Sequence, residues 1–486
     1  MNKFFSITFI LFLVCLISCT KDLTDLNKET KRAAAVPAGT LFSNATRNLA
    51  DNLASASVNT NPLRFTVKHW AATTYQDEPR YDFVTRNINR TWWNALYKDV
   101  LADYNDATKI VTADMLLASP IKKNQLAILD IMQVYTWYVL VNTFGDVPYS
   151  EALDLEKHLV PSYDDATTIY TDLLKRLVAD IGNLDPSAAA FSQTEDVVYG
   201  SKDPVEMKKA VGKWVKFANT LQFKMGMLLA DVNAAVAKTN VEAADAKAFT
   251  SSVDNGLFVY LSASPNTNPL YADIILGKRG DYVAAKDFMD QLITLNDPRK
   301  SLYFKPNNGG QYAGGIVGSQ NTLADMSTPS ERLSAATAPL VFLDYTELEF
   351  LRAEAIERGF NVAGTAATHY ENGIRASIAF WGGSDANATA YMLQPQVAYL
   401  TASGSWKQKI GFQKWIGLYN RPFDGWVEMR RLDQPVLTPP VSAISGFPNR
   451  YLYPSSEQLV NKENYTKAAA KIGGDKVETK LFWDKF

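Results

Sequence analysis

Residues Leu126–Phe144, LAILDIMQVYTWYVLVNTF, run directly into a turn-forming string, Gly145–Leu153, GDVPYSEAL. Apolar side chains cover nearly every face of a helix built from the first string, with Asp130, Gln133 and Thr136 as interruptions. A helix of that kind must be enclosed by protein or by lipid. The polar interruptions favour the centre of a folded body over a membrane span. Gly145 tolerates the backbone geometry that ends a helix, Asp146 can accept from backbone amides, and Pro148 forbids continuation. The stretch therefore reads as a buried helix followed by a structural turn.

Working outward, apolar residues recur at helical spacing over about 86–112, 121–143, 163–182, 205–235, 283–295, 344–359 and 366–381. Strand-like runs are short: Leu257–Leu261 and Leu340–Leu343. An all-α fold with a few short strands follows. In 344–359, Tyr345, Leu348, Leu351 and Ala355 form one face, with Glu347, Glu354, Glu357 and Arg358 expected on a water-facing side and Gly359 as the terminator. Trp92 and Trp93 point about 100° apart on a helix, so one of them is expected in the core. Glu428 and Arg431 are spaced for a scaffold ion pair. Helix pairs of this size suggest tetratricopeptide-type stacking, although no fixed-period signature is present. Gly and Asn collect at 305–322 and 382–389, which predicts surface loops, where binding residues usually sit.

The N-terminus begins with Lys3 and an apolar run, Phe4–Leu16, too short for a bilayer span of roughly 18–25 residues. Leu16-Ile17-Ser18-Cys19 resembles a bacterial lipobox, which makes Cys19 the lipidated first residue of the mature chain. The expected division is a signal peptide over residues 1–18, a polar membrane tether over 19–37 and a folded domain over 38–486. The two cysteines, Cys15 and Cys19, are then both spoken for, so no disulfide or thiolate metal site is expected.

Composition excludes more than it proposes. With 49 basic against 51 acidic residues and no basic block, nucleic acid is not an expected partner. The three histidines, His69, His158 and His369, lie too far apart in sequence for a helical ligand pair, and no metal or cofactor is expected. The glycines at 309, 310, 314, 315 and 318 lack the Gly-Lys-Ser/Thr of a phosphate cradle. Gly382–Ala386 misses the nucleophile elbow by one residue and reads as a helix-end loop. A glycosidase carboxyl pair stays open, because such pairs converge only in the fold.

Several stretches together resemble the SusD/RagB family of surface lipoproteins from Bacteroidetes. They are TFGDVPYSEAL at 143–153, TELEFLRAEAIERG at 346–359, IGFQKWIGLYNRPFDGWVEMRRLDQPVL at 410–437, PNRYLYPSSEQLVNKENY at 448–465 and the closing LFWDKF. In the last, Phe482 stands where the family has a first Trp. The resemblance implies a superhelix of four tetratricopeptide-like helix pairs carrying a loop-rich, variable ligand-binding half. It also implies a non-enzymatic, lipid-anchored outer-membrane protein, exposed at the cell surface, that binds a glycan or peptide nutrient and lids a SusC-like TonB-dependent transporter. The alternatives are an outer-membrane glycoside hydrolase and a helical-repeat interaction scaffold.

No family motif carries ligand contacts across, so the candidate site rests on residue chemistry. In HWAATTYQDEPRYDF, 69–83, Trp70, Tyr75 and Tyr81 stand beside Gln76 and Arg80 without clean periodicity. Rings to stack and planar polar groups to orient suit an oligosaccharide or peptide. Tyr312, Trp381 and Tyr391 are the further candidates.

Overall fold

The helix at the centre of the sequence argument is enclosed as its composition requires. It runs Ser119–Phe144, and every side chain from Ile131 to Phe144 is buried. Gly145 ends it with φ of +84°, a conformation that penalises any side chain. Asp146 then accepts from Ala166 N (2.8 Å), and Asp164 accepts from Tyr149 N and Ser150 N (3.0 and 2.8 Å). These bonds fasten the turn to the start of the next helix, Ala166–Asn183, which packs along the first. The last carbonyls of the 119–144 helix, orphaned by geometry, are met from far along the chain. Arg430 donates to Asn142 O (3.1 Å), Tyr451 N to Thr143 O (2.8 Å) and Arg450 to Phe144 O (3.0 Å), while Trp483 Nε1 reaches the Asn142 side chain (2.6 Å).

The computed structural model describes residues 36–486, of which Ala38–Phe486 form one compact unit. Among the described residues are 18 α-helices and three two-stranded antiparallel sheets. The all-α expectation holds. Four consecutive helix pairs pack side by side: Ser119–Phe144 with Ala166–Asn183, Ala210–Leu228 with Ala234–Ala244, Tyr345–Glu357 with Ala366–Phe380, and Trp406–Gly417 with Pro422–Leu432. No helix of the described residues is long and apolar enough to cross a membrane. Cys19 and the leader lie outside the described residues.

Four expectations need correction. The polar side of the 345–357 helix faces water only at its C-terminal end, where Glu357 is exposed; Glu347 and Glu354 are buried, because helices cover that side earlier along its length. Glu347 meets Lys224 (3.0 Å) and Arg421 (2.5 Å), and Glu354 meets Arg431 (2.5 Å) and Arg358 (2.7 Å). Lys414 and Arg431 both pair with Glu428 at 2.6 Å, so the expected Glu428–Arg431 contact is one link in a buried network. Trp92 and Trp93 are both core residues, the first against Phe423 and Tyr451, the second against Phe144 and Tyr453. The expected 205–235 helix is three pieces, Pro204–Met207, Ala210–Leu228 and Ala234–Ala244, with Asn233 capping the last. The expected 382–389 loop is a short link capped by Ser384, after which Asp385–Met392 is helical.

The small sheets place the functional elements. Gly256–Phe258 pairs with Leu340–Leu343, both anticipated from their apolar runs. Trp70–Ala72 pairs with Tyr282–Ala284, Trp70 lying opposite Ala284. That second pairing delivers residues 73–87 to the surface beside residues 276–281.

Candidate ligand-binding face

Where strand Trp70–Ala72 ends, four loops are stitched into one face. Thr73 Oγ1 donates to Gly280 O (2.7 Å) and Thr74 Oγ1 to Asp281 Oδ1 (2.5 Å), fixing the 276–281 loop. The Gly-rich 305–325 loop is held by Gln320 Nε2 on Thr73 O (2.5 Å), Asn321 Nδ2 on Ala72 O (2.8 Å) and Arg80 Nε on Gly318 O (2.8 Å). The fourth loop, residues 436–446, docks through Val441 N on Val317 O and Ile444 N on Arg80 O, both 3.0 Å. Gly318, at φ of +85°, is required for this approach, since a Cβ there would lie 2.2 Å from Val441 O.

Tyr75 stands out on this face with 39% of its surface exposed. The Arg86 guanidinium lies 4.9 Å from its ring centroid and that of Arg279 5.7 Å. Each cation is itself held: Arg279 by Asp281 (2.6 Å), Arg86 by Asp77 (3.2 Å) and by Glu78 (2.6 Å). Cation–π contacts of this kind fix a ring's orientation. Glu78 is fully buried beneath, and burial pushes its carboxyl up to about 7. Half-buried Gln76 donates to Ala72 O (3.1 Å), while its Oε1 has no donor. Exposed Val84, Ile316, Val441 and Ile444 on the same loops supply apolar surface. A ring, donors in fixed positions and aliphatic surroundings are what the alternating apolar faces and hydroxyl edges of a sugar chain engage.

The structure separates the candidate residues of the sequence. Arg80 meets the loop that carries half-buried Tyr312, whose ring lies 5.1 Å from Lys300 Nζ, while Tyr75 and Gln76 stand on the neighbouring 73–87 segment. Trp70, Tyr81, Trp381 and Tyr391 correct the expectation of accessible rings, for all four are buried. Trp70 donates to Tyr419 OH (3.0 Å), with Arg64 and Tyr282 over its ring at 5.0 and 5.1 Å. Tyr81 packs edge-on to Phe447, and Tyr391 sits on a helix where its hydroxyl takes Gln413 Nε2 (2.8 Å). Sequence reasoning missed Arg86, Arg279, Asp281 and the 436–446 loop. The glycine-flanked, charged string GKRGD at 277–281 was the available signal.

The Asp130 and Asp180 carboxyls of the frame are not arranged as a hydrolytic pair. Asp180 is pushed up to about 9 by burial and by neighbouring Asp130, and Asp130 is bound by Arg176 (3.2 Å through Nε). With Asp180 buried in the 119–144 and 166–183 helix pair, the two carboxyls do not flank an open cleft. Among the described residues, no group of three or more His, Cys, Asp or Glu side chains is placed to hold a metal ion.

A family model described as starch-binding and associating with the outer membrane matches residues 30–454. The chain belongs to the SusD-like family. Among solved SusD-like folds, a chitin-binding protein is 26% identical, with a TM-score of 0.79 over 92% of this chain and 100% of that one. A SusD homologue from Bacteroides uniformis is 25% identical, with a TM-score of 0.74 over 92% and 99%. A chitin-binding SusD homologue from Flavobacterium johnsoniae is 23% identical, with a TM-score of 0.76 over 91% and 98%. No curated protein matches the chain.

Proposed function

We propose that the protein is a cell-surface lipoprotein, anchored through Cys19, that binds an oligosaccharide at the Tyr75 face and passes it unchanged to a SusC-like TonB-dependent transporter, for which it acts as lid. Residues 1–18 are then the leader, 19–37 the tether and 38–486 the binding domain. The observation that carries this reading is Tyr75, a part-exposed ring oriented by Arg86 and Arg279 on a SusD-like frame. The family description names starch, and the 26%-identical solved relative binds chitin, which supports a glycan over a peptide.

Calorimetric titration with malto-oligosaccharides, chito-oligosaccharides and unstructured peptides tests the ligand, with mass spectrometry of the recovered ligand testing for turnover. A glycan returned intact is the expected result. Shortened products that vanish on changing one carboxylate would make the protein a hydrolase, and failure to bind any of the three classes would leave a protein scaffold. Copurification of a large β-barrel from native membranes is expected with the wild type. The Cys19→Ala variant should appear in the soluble fraction, and its retention on membranes through a salt wash would place the anchor elsewhere.

A further inference from the structure

Away from the four-loop face, the frame encloses a second space. Between strand Leu340–Leu343 and the C-terminal ends of helices Ala366–Phe380 and Trp406–Gly417 lies a cavity of about 90 Å³. A water needs roughly 10–15 Å³ on this measure, so the cavity has room for about six to nine waters, or for one six-membered ring with its substituents. An oligomer does not fit. Phe380, Trp381 and Tyr419 give it aromatic walls, and Arg332, Asp344 and Asn420 its polar groups.

Those polar groups are fixed in place. Asp344 is buried, and its Oδ1 takes both the Glu347 amide (2.9 Å) and Arg421 Nη1 (2.6 Å), which leaves Oδ2 for another donor. Arg332 at the exposed rim donates through Nη2 to Phe380 O (2.6 Å). Gly382, at φ of +89°, leaves room for its Nη1, since a Cβ would sit 2.9 Å away. Asn420 is held with φ of +64° by its bond from Arg64 (2.7 Å). A charged ligand entering here meets both signs at once: an anion faces Asp344 as well as Arg332 and Arg421, and a cation faces the two guanidiniums as well as Asp344. A neutral ring with hydroxyls can donate to the carboxylate, accept from the guanidinium and lay an apolar face against the aromatic wall.

We propose that this cavity is a second binding site that takes a single neutral, hydroxylated ring of monosaccharide size. The proposal does not depend on the Tyr75 face. Saturation-transfer NMR backed by titration, using glucose, N-acetylglucosamine, glucuronate and glucosamine at pH 6, tests it on the whole folded protein. The neutral sugars should bind, the two charged ones about five-fold or more weaker. Arg332→Ala, at an exposed position that leaves folding intact, should weaken the neutral sugars by about five-fold. Ala338→Leu, which fills the cavity, should do the same with a melting midpoint confirming the fold, and in Tyr75→Ala, which removes any monosaccharide contact at the outer face, the Arg332-dependent binding should persist. Absence of neutral-sugar binding, equal binding of the charged sugars, or wild-type affinity in Arg332→Ala would overturn the proposal. So would loss of monosaccharide binding in Tyr75→Ala, which would move those sugars to the outer face.

Discussion

Arg431 in the frame and Arg86 on the loop face are the same guanidinium between carboxylates, yet they do different work. Arg431 is 2% exposed and spends its donors on Glu354 and Glu428 at 2.5 and 2.6 Å. Arg86 is 27% exposed, pairs with Asp77 and Glu78, and keeps a ring in place. In the first setting desolvation makes every partner indispensable, because removing one leaves buried charge uncompensated. In the second, water screens the pair with Asp77 although Glu78 lies buried, and in the proposed reading the cation's value lies in what it presents to a ligand. Burial, not residue type, divides scaffold from site.

The sharpest way to break that comparison is Arg431→Met, which should cost on the order of 3–5 kcal/mol and lower the thermal midpoint by many degrees. Oligosaccharide affinity of the remaining folded protein should be unchanged, so a near-normal melt would mean that the network is not a structural unit. Trp70→Ala should behave as a core truncation, costing roughly 3–5 kcal/mol in a melt while affinity per folded molecule holds. If affinity fell instead with the midpoint intact, the binding face would have to extend inward. Tyr75→Ala is the converse. Losing one stacking ring, about 0.5–1.5 kcal/mol, should weaken oligosaccharide binding by about 2- to 12-fold in titration with no change in melting.

Smaller effects sharpen the point through pH. Because burial holds the Asp180 carboxyl up at about 9, its protonated form contributes stability that is complete below about pH 4 and is lost as pH rises toward 9. Melting curves between pH 5 and 9 should therefore fall less steeply for Asp180→Asn than for the wild type, and parallel curves would refute a raised Asp180 carboxyl. At the far end of the scale, Lys467→Ala removes an exposed pair with Glu463 and should leave the midpoint where it was.

Much of the frame was legible because its signals are local. An all-round apolar run, a Gly-Asp-Val-Pro-Tyr turn and motifs in family order fix the helix pairs without reference to partners. The polar face of the 345–357 helix was misread because Glu347 and Glu354 look like solvent residues until Lys224, Arg421 and Arg431 arrive from other helices. The 69–83 segment was legible as unusual but not as a surface. With no period there is no face to assign, and Trp70 goes inward because Tyr282 and Tyr419, hundreds of residues away, enclose it. Arg279 and the 436–446 loop could not be found for the same reason, since each joins the site only through contacts distant in sequence.

The bonds that close the 119–144 helix have a bearing on how the molecule is made. Its terminal carbonyls at Asn142, Thr143 and Phe144 wait for Arg430, Arg450 and Tyr451, and its Asn142 side chain for Trp483. A polypeptide emerging from its N-terminal end can wind this helix early but cannot seal it until 341 further residues have appeared after Asn142, as far as Trp483. Pairings so distant in sequence slow folding, because a long loop must be closed before any contact rewards it. The centre of the molecule is thus wound well before it is finished, because its last carbonyls and the Asn142 side chain stay open until residues 430–483 have emerged.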